Sequence, residues 1–270
     1  MTRILLSTLA AVGGGYLLIC TAVYMFQNRM VYHPLAELTQ TPSDWGIPYE
    51  NVHFQADDGV RLNGWFLPGR SGAPTVLFCH GNAGNMSGRE AILTILHELG
   101  AAVFIFDYRG YGNSEGSPSE IGTVLDVQAA WRVLTEERGI APNDIILFGR
   151  SLGGGVASHL ASSVQCRGLV LMSTFTSLPQ VGQQAYPFLP IKLLSRYEYP
   201  NQRIIRSLRI PVLIFHGKGD EVIPYAHGRS LWLSAHPPKR FVELKGGHND
   251  AVIASQIEIK TALRVFLYER

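Results

Sequence analysis

The chain has 270 residues, of which 46% are hydrophobic and 16% charged, and a formal net charge of +2. This near-neutral balance leaves no basis for nucleic acid as a partner, which calls for basic residues clustered on one element. Three cysteines, Cys20, Cys79 and Cys166, match neither a zinc spacing nor a redox CxxC pair, so neither a zinc site nor a disulfide framework is expected.

Residues 4–26 (ILLSTLAAVGGGYLLICTAVYMF) carry no charge and are flanked by Arg3 and Arg29. At about 1.5 Å per residue, a helix of this length reaches roughly 34 Å, enough for a hydrocarbon core of about 30 Å. Tyr24 and Phe26 suit the membrane interface, and Gly13, Gly14 and Gly15 are better tolerated in a membrane span than in a helix in water. A cleaved signal peptide is the competing reading, with Cys20 and Ala22 as small residues at the −3 and −1 positions. The apolar run continues past that point. Its length favours a retained single-pass membrane anchor over residues 1–30, followed by one domain over 31–270. One arginine at each end leaves the side of the membrane open.

Two early strands are expected near 51–55 and 62–67, with a turn at Asp57-Asp58-Gly59. The segments TVLFCH (75–80), AVFIFDY (102–108), DIILFG (144–149), GLVLMS (168–173), PVLIFHG (211–217) and RFVELKG (240–246) follow. Most are nearly continuous apolar runs, the pattern of strands covered on both faces of a parallel sheet. Helical spacing is found over 88–99, with Gly100 as a stop, over 119–137 and over 252–268. The alternation implies one α/β domain with a mainly parallel sheet. Residues 174–206 break the rhythm with Pro179, Pro187, Pro190 and Pro200. They could form a small lid, a pair of short helices or an irregular connection on the sheet.

Gly149-Arg150-Ser151-Leu152-Gly153 fits G-x-S-x-G between a predicted strand and a predicted helix. The turn would hold Ser151 at a helix N-terminus, where backbone N–H groups favour developing negative charge. A serine hydroxyl is a weak nucleophile without an adjacent base, and in this arrangement the chain order is serine, acid, histidine. Asp220 follows the strand 211–217 and His248 follows the strand 240–246, so all three come off strand ends on one side of the sheet. Glu221 and Asp250 are rival acids, and the motif HGKGDEVIP favours Asp220. His80, His159 and His216 lack this combined context: His80 and His216 read as structural, and His159, inside the helix after Ser151, as packed or solvated. An oxyanion needs two donors: the backbone N–H of Leu152, and one from the loop HGNAGN (80–85), for which Asn82 is the choice.

In their order along the chain, HGNAGN, DYRGYGNSEGSPSE, GRSLGG, HGKGDEVIP and GGHND resemble the α/β-hydrolase superfamily. Within it, the set is similar to the membrane-anchored branch that includes esterases, lipases and protein depalmitoylases. The resemblance covers roughly residues 45–268 and implies an eight-stranded, mostly parallel sheet flanked by helices, and no cofactor or metal. The segment DYRGYGNSEG is a family signature that implies a structural role in shaping its loop. The expected activity is a serine hydrolase cleaving acyl esters or thioesters through Ser151, Asp220 and His248. The expected partners are a small acyl ester, a lipid-like or acylated-protein substrate, and a membrane bound through the N-terminal helix. A peptidase with the same triad and a catalytically silent scaffold are the alternatives.

Overall fold

The computed structural model describes residues 1–269. Eight strands make one sheet: β1 (Glu50–Gln55), β2 (Arg61–Leu67), β3 (Thr75–Cys79), β4 (Ala102–Asp107), β5 (Ile145–Arg150), β6 (Gly168–Met172), β7 (Val212–Gly217) and β8 (Lys239–Leu244). Their spatial order is β8-β7-β6-β5-β3-β4-β2-β1. Only β2 runs against its neighbours; every other pairing is parallel.

The continuous apolar runs arise because each central strand feeds two cores. Successive side chains point to opposite faces of a strand. In β3, Leu77 and Cys79 join one core, while Val76 and Phe78 join the other. The first core is covered by α3 (Glu120–Arg132), α4 (Leu152–Ala161) and α8 (Tyr225–Ser234), through Val127, Leu160 and Leu231. The second is covered by α2 (Glu90–Glu98) and α10 (Gln256–Tyr268), through Ile92, Leu96, Leu263 and Leu267. A short helix, α9 (Ala251–Ala254), precedes α10.

Residues 174–206 fold as three short helices, α5 (Leu178–Ala185), α6 (Ile191–Leu194) and α7 (Asn201–Ile205). Three of the four prolines that interrupt the sequence pattern lie at the starts of these helices. Pro179 occupies the first turn of α5, and Pro190 and Pro200 cap α6 and α7. Proline is favoured there because its missing N–H would have no helical partner.

The N-terminal helix α1 (Thr2–Val31) is long and apolar enough to cross a membrane, with a mean hydropathy of 1.9 over its most apolar stretch. Most of its large apolar side chains, such as Leu9 and Leu18, face outward. One stripe is turned toward the domain, half-buried to buried from Cys20 onward. Tyr16, Cys20, Val23, Gln27 and Val31 recur at spacings of three and four, so they share a face. That face packs on α6 and the turn before it: the Tyr16 hydroxyl donates to the Phe188 carbonyl at 2.9 Å. Gln27 donates to Leu194 O at 3.2 Å and accepts from Arg196 N at 2.7 Å. Beyond α1, His33–Pro34 pairs in parallel with Ala83–Gly84.

Candidate active site

Ser151 is the single residue between β5 and α4, with φ 53° and ψ −121°. A non-glycine residue at such a φ costs about 1–3 kcal/mol and persists only where its surroundings enforce it. Ser151 N donates to Met172 O at 2.9 Å, and Thr174 Oγ1 donates to Ser151 O at 2.7 Å. The surrounding glycines permit the close packing. A Cβ on Gly149 would stand 2.5 Å from Gly154 Cα, and one on Gly153 2.5 Å from the Cys79 carbonyl carbon. One on Gly155 would meet the Tyr199 ring at 2.5 Å. The glycines thus let β5, β3 and α4 converge under one serine, which is 8% exposed.

The loops after β7 and β8 bring the other two groups to it. His248 Nε2 lies 3.0 Å from Ser151 Oγ, and His248 Nδ1 lies 2.9 Å from Asp220 Oδ2. With Nδ1–H donating to the carboxylate, Nε2 is left as the acceptor facing the serine hydroxyl. Asp220 Oδ1 also accepts from Val222 N at 3.0 Å and Ile223 N at 2.7 Å. Burial pushes the Asp220 carboxyl up, but the hydrogen bonds from His248 and Ile223 outweigh it, and its pKa falls below the ordinary value. Glu221 and Asp250 hold the backbone of the histidine loop instead. Glu221 Oε2 accepts from His248 N at 3.0 Å, and Asp250 Oδ1 from Gly247 N at 2.6 Å.

Two backbone N–H groups remain on the open side of Ser151. Leu152 is the first residue of α4, where no preceding turn supplies an acceptor. Asn82 lies in the loop after β3, where a Cβ on neighbouring Gly81 would be 3.9 Å from Ser151 Oγ. The Asn82 carbonyl accepts from Tyr111 Oη at 2.7 Å and His33 N at 3.2 Å, and its side chain donates to Val31 O at 2.8 Å. Its own N–H donates to no acceptor among the described residues. The segment DYRGYGNSEG underpins this loop: Tyr108 Oη donates to His80 O at 2.9 Å, and Asp107 lies 3.2 Å from a fully buried His80 ring.

A cavity of about 690 Å³ opens in front of Ser151, Leu152 and Asn82. Leu178, Val181, Ile191 and Leu194 form one wall, and Val23 and Met30 of α1 another. Among the described residues, its lining contains no carboxylate.

A family model described as serine aminopeptidase, S33, matches residues 71–200. An α/β-hydrolase domain-containing protein of Arabidopsis thaliana, WAV2, is 35% identical over 88% of this chain and 87% of its own. The chain belongs to the α/β-hydrolase family. A yeast relative of this hydrolase, named as an uncharacterized membrane protein of Saccharomyces cerevisiae, is 35% identical over 92% of this chain and 91% of its own. An esterase of Pyrococcus furiosus has a solved structure with a TM-score of 0.73 at 22% identity, covering 87% of this chain and 98% of that one. That identity speaks to the fold alone.

Sequence reasoning on the hydrolase did not find Arg150, Tyr111 or the wall from α1. Arg150, inside the motif, donates through Nη2 to His248 O at 3.0 Å. Burial pushes its pKa down to about 10. These contacts join residues 29 to 98 positions apart and leave no local spacing signal.

Proposed function

We propose that this hydrolase cleaves acyl esters or thioesters through a covalent acyl-enzyme. Ser151 Oγ attacks the acyl carbonyl as His248 Nε2 takes its proton, and Asp220 stabilises the imidazolium that forms. The new C–O bond leaves an oxyanion, held by the N–H groups of Leu152 and Asn82. When the oxyanion collapses, the bond to the leaving oxygen or sulfur breaks and His248 returns the proton to it. Water then enters and attacks the acyl carbon as His248 takes its proton; the bond to Ser151 Oγ breaks, His248 returns the proton to that oxygen, and the acid is released.

The observation that carries this reading is the chain of contacts from Asp220 through His248 to Ser151, 2.9 and 3.0 Å long, at the floor of an apolar cavity. A second reading, serine aminopeptidase, is favoured by the description of the matching family model. The cavity speaks against it, because a free substrate ammonium calls for a carboxylate and the described lining has none. We take α1 as a single-pass membrane anchor, supported by its outward apolar surface and by the name of the yeast relative as a membrane protein. The described domain beyond it is the catalytic unit.

Turnover of an acyl-ester chain-length series and of aminoacyl amides tests the reading in wild type and Ser151→Ala. Ester or thioester hydrolysis that depends on Ser151 supports it. Amide turnover with inert esters favours the peptidase, and ester hydrolysis that survives in Ser151→Ala removes the mechanism.

A further inference from the structure

The lid helices and the membrane-candidate helix are fastened to each other, and the cavity lies between them. Gln27 is held by Leu194 and Arg196, while Tyr16 meets Phe188. Tyr16 sits 11 residues before Gln27, about 16 Å along a helix rising about 1.5 Å per residue. The turn between α5 and α6 therefore reaches far along the segment that is apolar enough to span a bilayer. The turn and the α6 helix that follows it present apolar side chains outward: Phe188 is 67% exposed and Leu193 is 83% exposed. Three exposed apolar groups in one small segment, with Tyr186, are costly in water and ordinary in lipid. Lys192 lies between Phe188 and Leu193 in the sequence and Arg196 follows them; Arg196 stacks 5.2 Å over the Tyr24 ring, and long cationic side chains of this kind reach to the headgroup level.

The inner side of the same seam is the cavity wall, made of Val23 and Met30 from α1 and of Val181, Ile191 and Leu194 from the lid. An acyl chain lying in the leaflet beside α1 could pass between these side chains to Ser151 without crossing water.

We propose that the α5–α6 turn is immersed in the bilayer and that the seam between α1 and the lid admits and seats a long acyl chain drawn from the leaflet. This rests on the reading of Ser151 as a nucleophile for acyl carbonyls, and adds where the substrate comes from. The recognised chemistry is a membrane-borne long-chain acyl ester or thioester, whether carried by a lipid or by an acylated polypeptide. The docking partner of Phe188 and Leu193 is the bilayer itself.

The test has two arms on the full chain in phosphatidylcholine vesicles. In the first, an environment-sensitive fluorophore is placed at F188C, L193C or the water-side control A141C, in a background carrying C20A and S151A. A quencher on the lipid acyl chains should quench residues 188 and 193 and spare 141, and aqueous iodide should do the reverse. Iodide quenching at 188 and 193 as strong as at 141 overturns the proposal. This arm needs no turnover, so its failure is separate from failure of Ser151 as nucleophile.

In the second arm, the double variant F188E/L193E carries two changes outside the cavity lining. It should keep wild-type hydrolysis of a soluble acetate ester. It should lose at least about tenfold on a long-chain fluorogenic ester, or on an S-acylated peptide, embedded in the vesicles. Whichever embedded substrate wild type turns over identifies the source of the chain. Wild-type rates of the variant on that embedded substrate overturn the proposal.

Discussion

Arg150 donates to the carbonyl oxygen of His248 at 3.0 Å, so the residue before the serine holds the loop that carries the imidazole. The guanidinium is mostly buried, and its recorded acceptors are the carbonyls of His248 and Asn249. Replacing it with methionine removes the donor while keeping much of the volume. Arg150→Met should lower kcat about 10- to 100-fold, the scale of a misplaced catalytic group, with a small change in KM. Arg150→Lys, which keeps a cation and a donor, should recover part of that loss. Steady-state kinetics on an acyl ester check both, and equal loss in the two variants would point to a purely structural role.

Three carboxylates crowd the histidine loop, and geometry separates them. Asp220 faces the ring, while Glu221 and Asp250 accept from backbone N–H groups. Asp220→Asn should lower kcat by about 10³- to 10⁴-fold, because an amide cannot hold the imidazole in the same tautomer or stabilise its charged form. Glu221→Gln keeps an acceptor for His248 N and should stay within about tenfold. The reverse order of effects would reassign the acid.

The glycines divide by what a methyl group would strike. Gly153→Ala would push a Cβ to 2.5 Å from the Cys79 carbonyl carbon, against backbone that cannot yield. It should cost about 3 kcal/mol or more and lower Tm sharply. Gly88→Ala, where nothing lies within 4 Å and φ is −86°, should change stability by about 0.5 kcal/mol or less. Thermal melts of the two variants give the comparison.

His216 and His227 make stability depend on pH. Burial is the largest cause holding both pKa values below 6.5, and His216 adds repulsion at His227. A base whose folded pKa is depressed contributes stability that is complete above its unfolded pKa and is lost as pH falls toward the folded one. Tm should therefore be flat above pH of about 6.5 and decline below it. His227 Nδ1 on α8 accepts from Thr176 N at 3.2 Å, just before α5, and Nε2 donates to Gln184 of α5 at 2.9 Å, so protonation removes the acceptor for Thr176 while the bond to α5 remains. His227→Asn should shrink the acid decline, which Tm measured across pH will show.

Much of this was legible in the residues, for definite reasons. Strands β3 to β7 announce themselves because coverage on both faces makes them apolar throughout. Ser151, Asp220 and His248 stand in short motifs at strand ends, and the fold brings those ends to one edge of the sheet. Residues 174–206 were harder to read. Pro179, Pro190 and Pro200 look like breaks in a linear pattern, yet each begins a helix. The stripe from Tyr16 to Gln27 was hidden because α1 is apolar on every side, so nothing marks the face that meets the lid.

The most direct measurement of the central claim is the mass shift and site of a fluorophosphonate adduct on the intact protein. The account predicts one adduct per chain, carried by the peptide containing Ser151, absent in Ser151→Ala and strongly slowed in His248→Ala. A folded wild-type protein that takes up no label, or takes it on a residue other than Ser151, would contradict it.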